Sequence, residues 1–436
     1  MKRLLTLATS ALALAAAPAA AQDFVIANAT VATGDGSEPI EDGVVIVEGG
    51  RVTYAGAADG RTYSTDRVID AGDAWVTPGL FATVTTLGLW DVGAVSESND
   101  TRAGGSPFSA ALDVAPIVNP GSQHILVSRS AGITRAATTM LPSGSIFAGQ
   151  GAMIDLDGDA NPVMRARAFQ MVSLGERGGR LAGGSRASAF VLFHAALREA
   201  RALSGANGTP QTTEITTDDE VLLGRFDAEA LVTVVNGSQP LYVEVERAAD
   251  IRAVLALREE FPRLDMVLVG AGEGWLVANE IAAAGVPVIA DALDDLPETF
   301  EVLAATQSNI GRMMRAGVQV AISANSGTNP RNMPQAAGNL VALQRIPGAS
   351  GLSWGQAFAA ISSVPAAISG YEGQAGVLTP GALGDVVIWD GDPLEVGSVP
   401  TRVFIGGVEQ SLASHQSRLR ERYRDLDESD LPKAYD

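Results

Sequence analysis

The second half of the chain alternates short β-favouring runs with amphipathic helical stretches, and this alternation constrains the fold most. Residues 241–246 read as a strand and 250–259 as a helix. The pattern repeats with 266–269 then 275–284, and with 286–290 then 300–316. It closes with 318–323, followed by helices at 334–343 and 353–361, the last opening on Ser353 as its cap. Repeats of this kind build a parallel sheet with helical crossovers. A chain of 436 residues is long enough for a (β/α)8 barrel. Periodicity alone equally allows an open doubly wound sheet.

The flanks have a different texture. Residues 24–33 alternate and end at Gly34-Asp35-Gly36. Residues 43–47 and 51–55 flank Glu48-Gly49-Gly50, which reads as a hairpin. After the repeats, 385–389 and 403–405 return to β character, with Gly406-Gly407 as a turn. Early and late strands separated by a whole repeat region suggest one small β-unit built from both chain ends. Between them, 132–141, 150–156 and 169–174 are further strand candidates. Residues 186–203 carry Phe190, Phe193 and Leu197 at helical spacing, 204–219 read as an exposed loop, and Asp227 is placed to cap a helix through Val235.

Lys2 and Arg3 precede an apolar run at 4–17 and the small residues Ala19-Ala20-Ala21, the pattern of a secretory signal peptide cleaved after Ala21. A periplasmic or secreted location follows, and no later segment is apolar enough to span a membrane. Cysteine is absent, which removes disulfides and thiol nucleophiles. The net charge of −20 argues against nucleic acid as a partner. Lysine occurs only at Lys2 and Lys433, so the folded body has no amine for Schiff-base chemistry.

Three stretches carry a family resemblance. The first is Val76-Thr-Pro78-Gly79-Leu-Phe-Ala-Thr-Val84-Thr-Thr86. The second is Arg331-Asn-Met-Pro-Gln-Ala-Ala-Gly338. The third is residues 362–365 followed by Gly376-Val-Leu-Thr-Pro-Gly381 and Asp385-Val-Val-Ile-Trp-Asp390-Gly-Asp-Pro393. Together they resemble the amidohydrolase superfamily, in its imidazolonepropionase-like branch. The resemblance implies a (β/α)8 TIM barrel over 78–373 and a small β-sandwich from 22–77 and 374–411, with 1–21 as signal peptide and 412–436 as polar tail. It also implies hydrolysis of C–N bonds by a water activated on zinc or another divalent metal.

The residues at the implied metal positions are of the wrong chemistry. Aligned on Pro78 and Gly79, the two strand-one histidines of the family fall on Val84 and Thr86. The strand-eight aspartate falls on Asn325. Valine offers no lone pair, and an amide does not take a proton near neutral pH. No metal or other cofactor is therefore expected. His124, His194 and His415 are the chain's three histidines, and each reads as a packing or surface residue away from a strand's carboxyl end.

Acidic residues near the strand ends, Glu244, Glu246, Glu273 and Asp291, are the remaining candidates. Alternation points Glu244 and Glu246 to one face. They would suit an oxygen site or a ligand-binding role, or would be spent on arginines such as Arg135 or Arg247. The expected function is a non-catalytic or ligand-binding paralogue, or a partner subunit of an active amidohydrolase, in a homo- or hetero-oligomer. The alternatives are a hydrolase of amide, cyclic amide or dipeptide bonds through an unorthodox acidic site, and a plain binder of small solutes.

Overall fold

The computed structural model describes residues 21–63, 65, 67–204, 222–324 and 329–424. The expected signal peptide up to Ala20, the 205–219 part of the expected loop with residues 220–221 after it, Asn325, and the tail beyond 424 lie outside the described residues.

The chain opens with β1 (Phe24–Val31), β2 (Ile40–Glu48) and β3 (Arg51–Ala57), an antiparallel meander, and then β4 (Val68–Asp70) and β5 (Trp75–Pro78), each parallel to β1. Gly49 and Gly50 both take positive φ at the β2–β3 turn, a conformation glycine adopts without Cβ strain.

The second sheet begins with β6 (Leu80–Thr85). After α1 (Gln123–Ser130) come β7 (Ile133–Thr138), β8 (Phe147–Asp155) and β9 (Val163–Ser173). Then follow α2 (Gly175–Leu181), α3 (Arg186–Leu203), α4 (Arg225–Val235), β10 (Leu241–Val245), α5 (Ala248–Glu260), β11 (Met266–Gly270) and α6 (Ala278–Ala284). The unit ends with β12 (Val288–Ala290), α7 (Asn309–Arg315), β13 (Val320–Ile322), α8 (Met333–Ala342), α9 (Trp354–Ala359) and α10 (Ser363–Ile368). The strands run β6 to β13 in spatial order as one curled, parallel-rich sheet. The gap between β13 and β6 is spanned by backbone: Ile322 N–H donates to Ala360 O, and Phe81 N–H to Ile361 O.

This is the expected barrel with one departure. β8 is antiparallel to both β7 and β9, so three strands meander without crossover helices. The links at 139–146 and 156–162 are too short for a helical return.

The carboxy-terminal strands β14 (Val386–Trp389), β15 (Pro400–Ile405) and β16 (Val408–Gln410) join the first sheet through β14 against β5, and α11 (His415–Arg422) follows. The small sheet is thus built from both chain ends, in the order β16-β15-β14-β5-β1-β2-β3. Arg135 on β7 joins the two units. Its Nε donates to Asp385 Oδ2 at 2.6 Å and its Nη2 to Oδ1 at 3.0 Å, both residues buried.

Strand alternation sorts the barrel side chains. Leu80, Leu241, Val243, Leu268, Val288 and Ile322 pack outward with the helices. Phe81, Val84, Phe169, Met171, Tyr242, Val269 and Ile289 form a separate cluster on the concave side. A centre this full leaves function to the strand ends.

Two expected helices differ. Gly224, not Asp227, is the N-cap of α4; the buried Asp227 carboxylate instead accepts from Ser109 N and Ala111 N at 2.8 Å each. The helix expected over 300–316 is confined to α7. Tertiary contacts take the earlier backbone: Glu273 accepts from Ala304 N–H, and Trp275 Nε1 donates to Ala304 O.

Candidate functional site

The carboxyl ends of β6 and β13 come first, because the family's chemistry would require ligands there. Val84 is buried in the concave cluster and has a φ of 53°. A β-branched residue held in that region is strained, so packing fixes this strand end tightly. The neighbouring hydroxyls are engaged. Thr85 Oγ1 donates to Ala137 O at 3.0 Å, and Thr86 Oγ1 accepts from Trp90 Nε1 at 3.0 Å. Asn325 follows β13 and is outside the described residues.

His124 stands closer to this place than its sequence position suggested. The expectation that no histidine lies at a strand end needs correcting for it: it sits on the first turn of α1 and lines a small cavity with Thr85, Thr86, Leu87, Trp90, Ala324 and Pro330. Its ring stacks on Trp90 with centroids 3.6 Å apart, and Nε2 lies 3.0 Å from Asp91 O. Burial holds the imidazole below its ordinary pKa, opposed by Asp91. A helix that follows a barrel strand starts at the barrel's mouth, and that was the available signal. His194 lies mid-way along α3, within 3.6 Å of Glu260, and His415 lies on α11.

The acidic candidates gather around the ends of β10, β11 and β12, but each is committed to a different partner. Glu244 pairs with Arg177 on α2 at 3.1 and 3.3 Å, rather than with Arg135 or Arg247. Arg135 is taken by Asp385, and Arg247 reaches Glu176 and Phe300 O. Glu246 lies across the end of β11, over Gly270 and Gly272, and accepts from Gly272 N–H at 2.7 Å. A side chain at Gly270, whose φ is 90°, would collide with it. Glu273 is buried and accepts from Ala248 N, at the start of α5, and from Ala304 N. Asp291 closes a local turn by accepting from Leu293 N. Among the described residues no three His, Asp or Glu side chains converge as a metal's ligands would.

The field at this end of the barrel is negative. Burial pushes the Glu246 carboxyl up to about 8, with Glu244, Asp294 and Glu301 adding to the shift and the Gly272 N–H opposing it. Burial, with Asp291 and Glu298 nearby, pushes Asp294 up to about 6. Glu301 is also raised, first by burial, though it accepts from Glu176 N–H at 2.7 Å.

Two further residues stand outside the candidates read from the sequence. Arg177 neutralises Glu244, and Ser173 ends β9 with an Oγ that is buried and has no hydrogen-bond partner among the described residues. Their place after a strand is visible in the sequence, but their neighbours across the sheet are not.

A divalent metal does not fit the described residues. The strand-one positions present a buried methyl group and an engaged hydroxyl. The carboxylates are spent singly on amides and an arginine, and Glu246 prefers its neutral form near pH 7, whereas a metal needs charged oxygen.

Comparison with known proteins agrees with this architecture. A model of the Amidohydrolase family matches residues 277–399. Over 198 residues the chain is 26% identical to the amidohydrolase tasK of Hapsidospora irregularis; the match covers 44% of this chain and 19% of that longer protein. Among solved structures, an amidohydrolase from Thermotoga maritima superposes with a TM-score of 0.75 at 22% identity, covering 88% of this chain and 99% of that one. A triazine hydrolase variant superposes with a TM-score of 0.52 at 18% identity, covering 92% and 98%. At these identities the structural likenesses speak for the fold.

Proposed function

Taking as premise that the chain belongs to the amidohydrolase superfamily, we propose that it is an exported, non-catalytic member that binds a small molecule at the barrel mouth, alone or as partner to an active paralogue. The observation that carries this reading is the end of β6, where Val84 is packed into the concave cluster and the Thr86 hydroxyl is held by Trp90. A metal-activated water has nothing to bind to there. In the same reading the barrel spans 78–373, the small β-domain 22–77 and 374–411, and cleavage after Ala21 releases the mature chain.

The test is turnover. The purified mature chain, assayed with amides, cyclic amides and dipeptides after incubation with zinc, manganese or calcium, should hydrolyse none. Metal-dependent hydrolysis would end this reading.

Glu246 motivates a second reading, a hydrolase with an unorthodox acidic site, because burial pushes its carboxyl up to about 8, near the pH where an acid–base group works well. In that case amide hydrolysis would appear without metal and vanish in Glu246→Gln.

A further inference from the structure

We propose that the cavity between α4 and the β8–β9 pair, on the helix-covered side of the barrel, binds a neutral carboxamide with a small aromatic body. Gln150 Nε2 and the Glu229 carboxylate are its polar contacts, and Phe226 lies against its ring. The site is separate from the mouth and goes beyond the binding role above.

The walls of this cavity are tied together by hydrogen bonds. It measures about 390 Å³, within the range that small ligands fill, and is lined by Gln150, Arg167, Phe226, Glu229, Thr233 and Gln239 among others. Gln239 Nε2 donates to Arg167 O at 2.8 Å and to Gln150 Oε1 at 3.2 Å. Asp113 forms a parallel bridge with Gln150 and accepts from Arg167 Nε at 2.8 Å. Gln150 and Arg167 are thus held side by side. Thr233 Oγ1 donates to Gln239 Oε1 at 2.8 Å, which fixes α4 to the same floor. Glu229 and Phe226 precede Thr233 by one and two turns, on the same face of α4.

The free groups then select the ligand. A carbonyl only accepts, so Arg167 O holds the nitrogen of Gln239 towards it, and Gln150 must turn its oxygen to that nitrogen. Gln150 Nε2 is left as a donor with no partner among the described residues. The ionised groups are already matched, Arg167 by Asp113 at 2.8 Å and Glu229 Oε1 by Arg225 at 2.7 Å. An ionic ligand would have to break one of these pairs. A carboxamide brings an acceptor for Gln150 and N–H donors for the second oxygen of Glu229. Phe226, 63% exposed and edge-on to Phe108, offers its ring a face.

Gln170 is an independent observation. It stands opposite Gln150 across the β8–β9 pair, so the two side chains share a face. It is fully buried, and neither its Oε1 nor its Nε2 has a partner among the described residues. Its neighbours on that side, Val172 and Leu241, belong to the apolar layer under the helices. Core amides are normally satisfied, so unsatisfied ones in an apolar layer beside a cavity mark a binding floor.

The experiment is a ligand-observed NMR titration of the mature chain with benzamide, sodium benzoate and benzamidinium chloride, which match in shape and differ in charge. Benzamide should bind at least about tenfold more tightly than either ion. Gln150→Glu replaces the free donor by an anionic oxygen. It should weaken benzamide by about tenfold and place benzamidinium above it. Phe226 is exposed, so Phe226→Ala keeps a cooperative melt; it should weaken benzamide, and it serves as the test if Gln150→Glu fails to fold. Equal binding of the three probes, no saturable binding of benzamide, or unchanged affinities in the folded variants would overturn the assignment. No residue of the mouth takes part, so hydrolysis in the turnover test would end the non-catalytic reading and leave this site standing.

Discussion

Glu246 is the residue whose environment departs most from its chemistry. Its carboxyl is raised from 4.5 to about 8, so the native chain keeps a proton that the unfolded chain releases between those values. Its contribution therefore favours folding fully below about pH 4.5, and fades as pH rises through about 8, by at most about 1.4 kcal/mol per pH unit. Glu246→Gln removes this dependence. Urea midpoints measured at about pH 5 and about pH 8 should differ less in the variant than in the native chain; an unchanged difference would show that Glu246 is not buried as described. Asp385 is the opposite case, a carboxylate satisfied by Arg135 and by Gly406 N–H at 2.8 Å. Asp385→Ala leaves Arg135 buried without its main counter-charge and should cost about 3–5 kcal/mol in chemical denaturation. A loss below about 1 kcal/mol would mean that Asp155, at 3.8 Å, takes over the pairing.

At the scale of elements, local signals and the structure agree where the signal is self-contained. The helix over 186–203 coincides with α3, because its apolar spacing and the Ser185 cap lie within the segment itself. Ser353 was readable as a cap for the same reason, and α9 carries the full reciprocal box with Gln356. Ser353→Ala should lower stability by about 1 kcal/mol in thermal or urea unfolding and leave ligand affinity unchanged; no loss at all would mean that neighbouring packing alone holds this turn. What the sequence does not express locally is partnership. The apolar run of β8 is readable as a strand, but its antiparallel direction follows from the short links on either side. Glu244 and Glu246 were readable as one face of a strand. That the first meets Arg177 and the second reaches across to Gly272 depends on α2 and on the end of β11, which no spacing along β10 encodes. His124 illustrates the same limit, since its closeness to Thr86 is a property of how α1 returns to the rim.

For the whole molecule, the fold matches that of solved amidohydrolases, and the described strand ends serve packing and hydrogen bonding. The two β-sheets are clamped through Arg135 and Asp385, the barrel centre is filled, and its mouth is acidic. Export with cleavage after Ala21, which we propose, is tested by sequencing the amino terminus of chain recovered from the periplasm or medium, where Gln22 should be first. The claim on which the account turns is that this barrel holds no catalytic metal. Elemental mass spectrometry of the mature chain, after incubation with zinc, manganese and calcium and then dialysis, tests it most directly. The account expects metal far below one ion per chain for all three. Retention of about one ion per chain, with amide hydrolysis that follows the metal content, would contradict it.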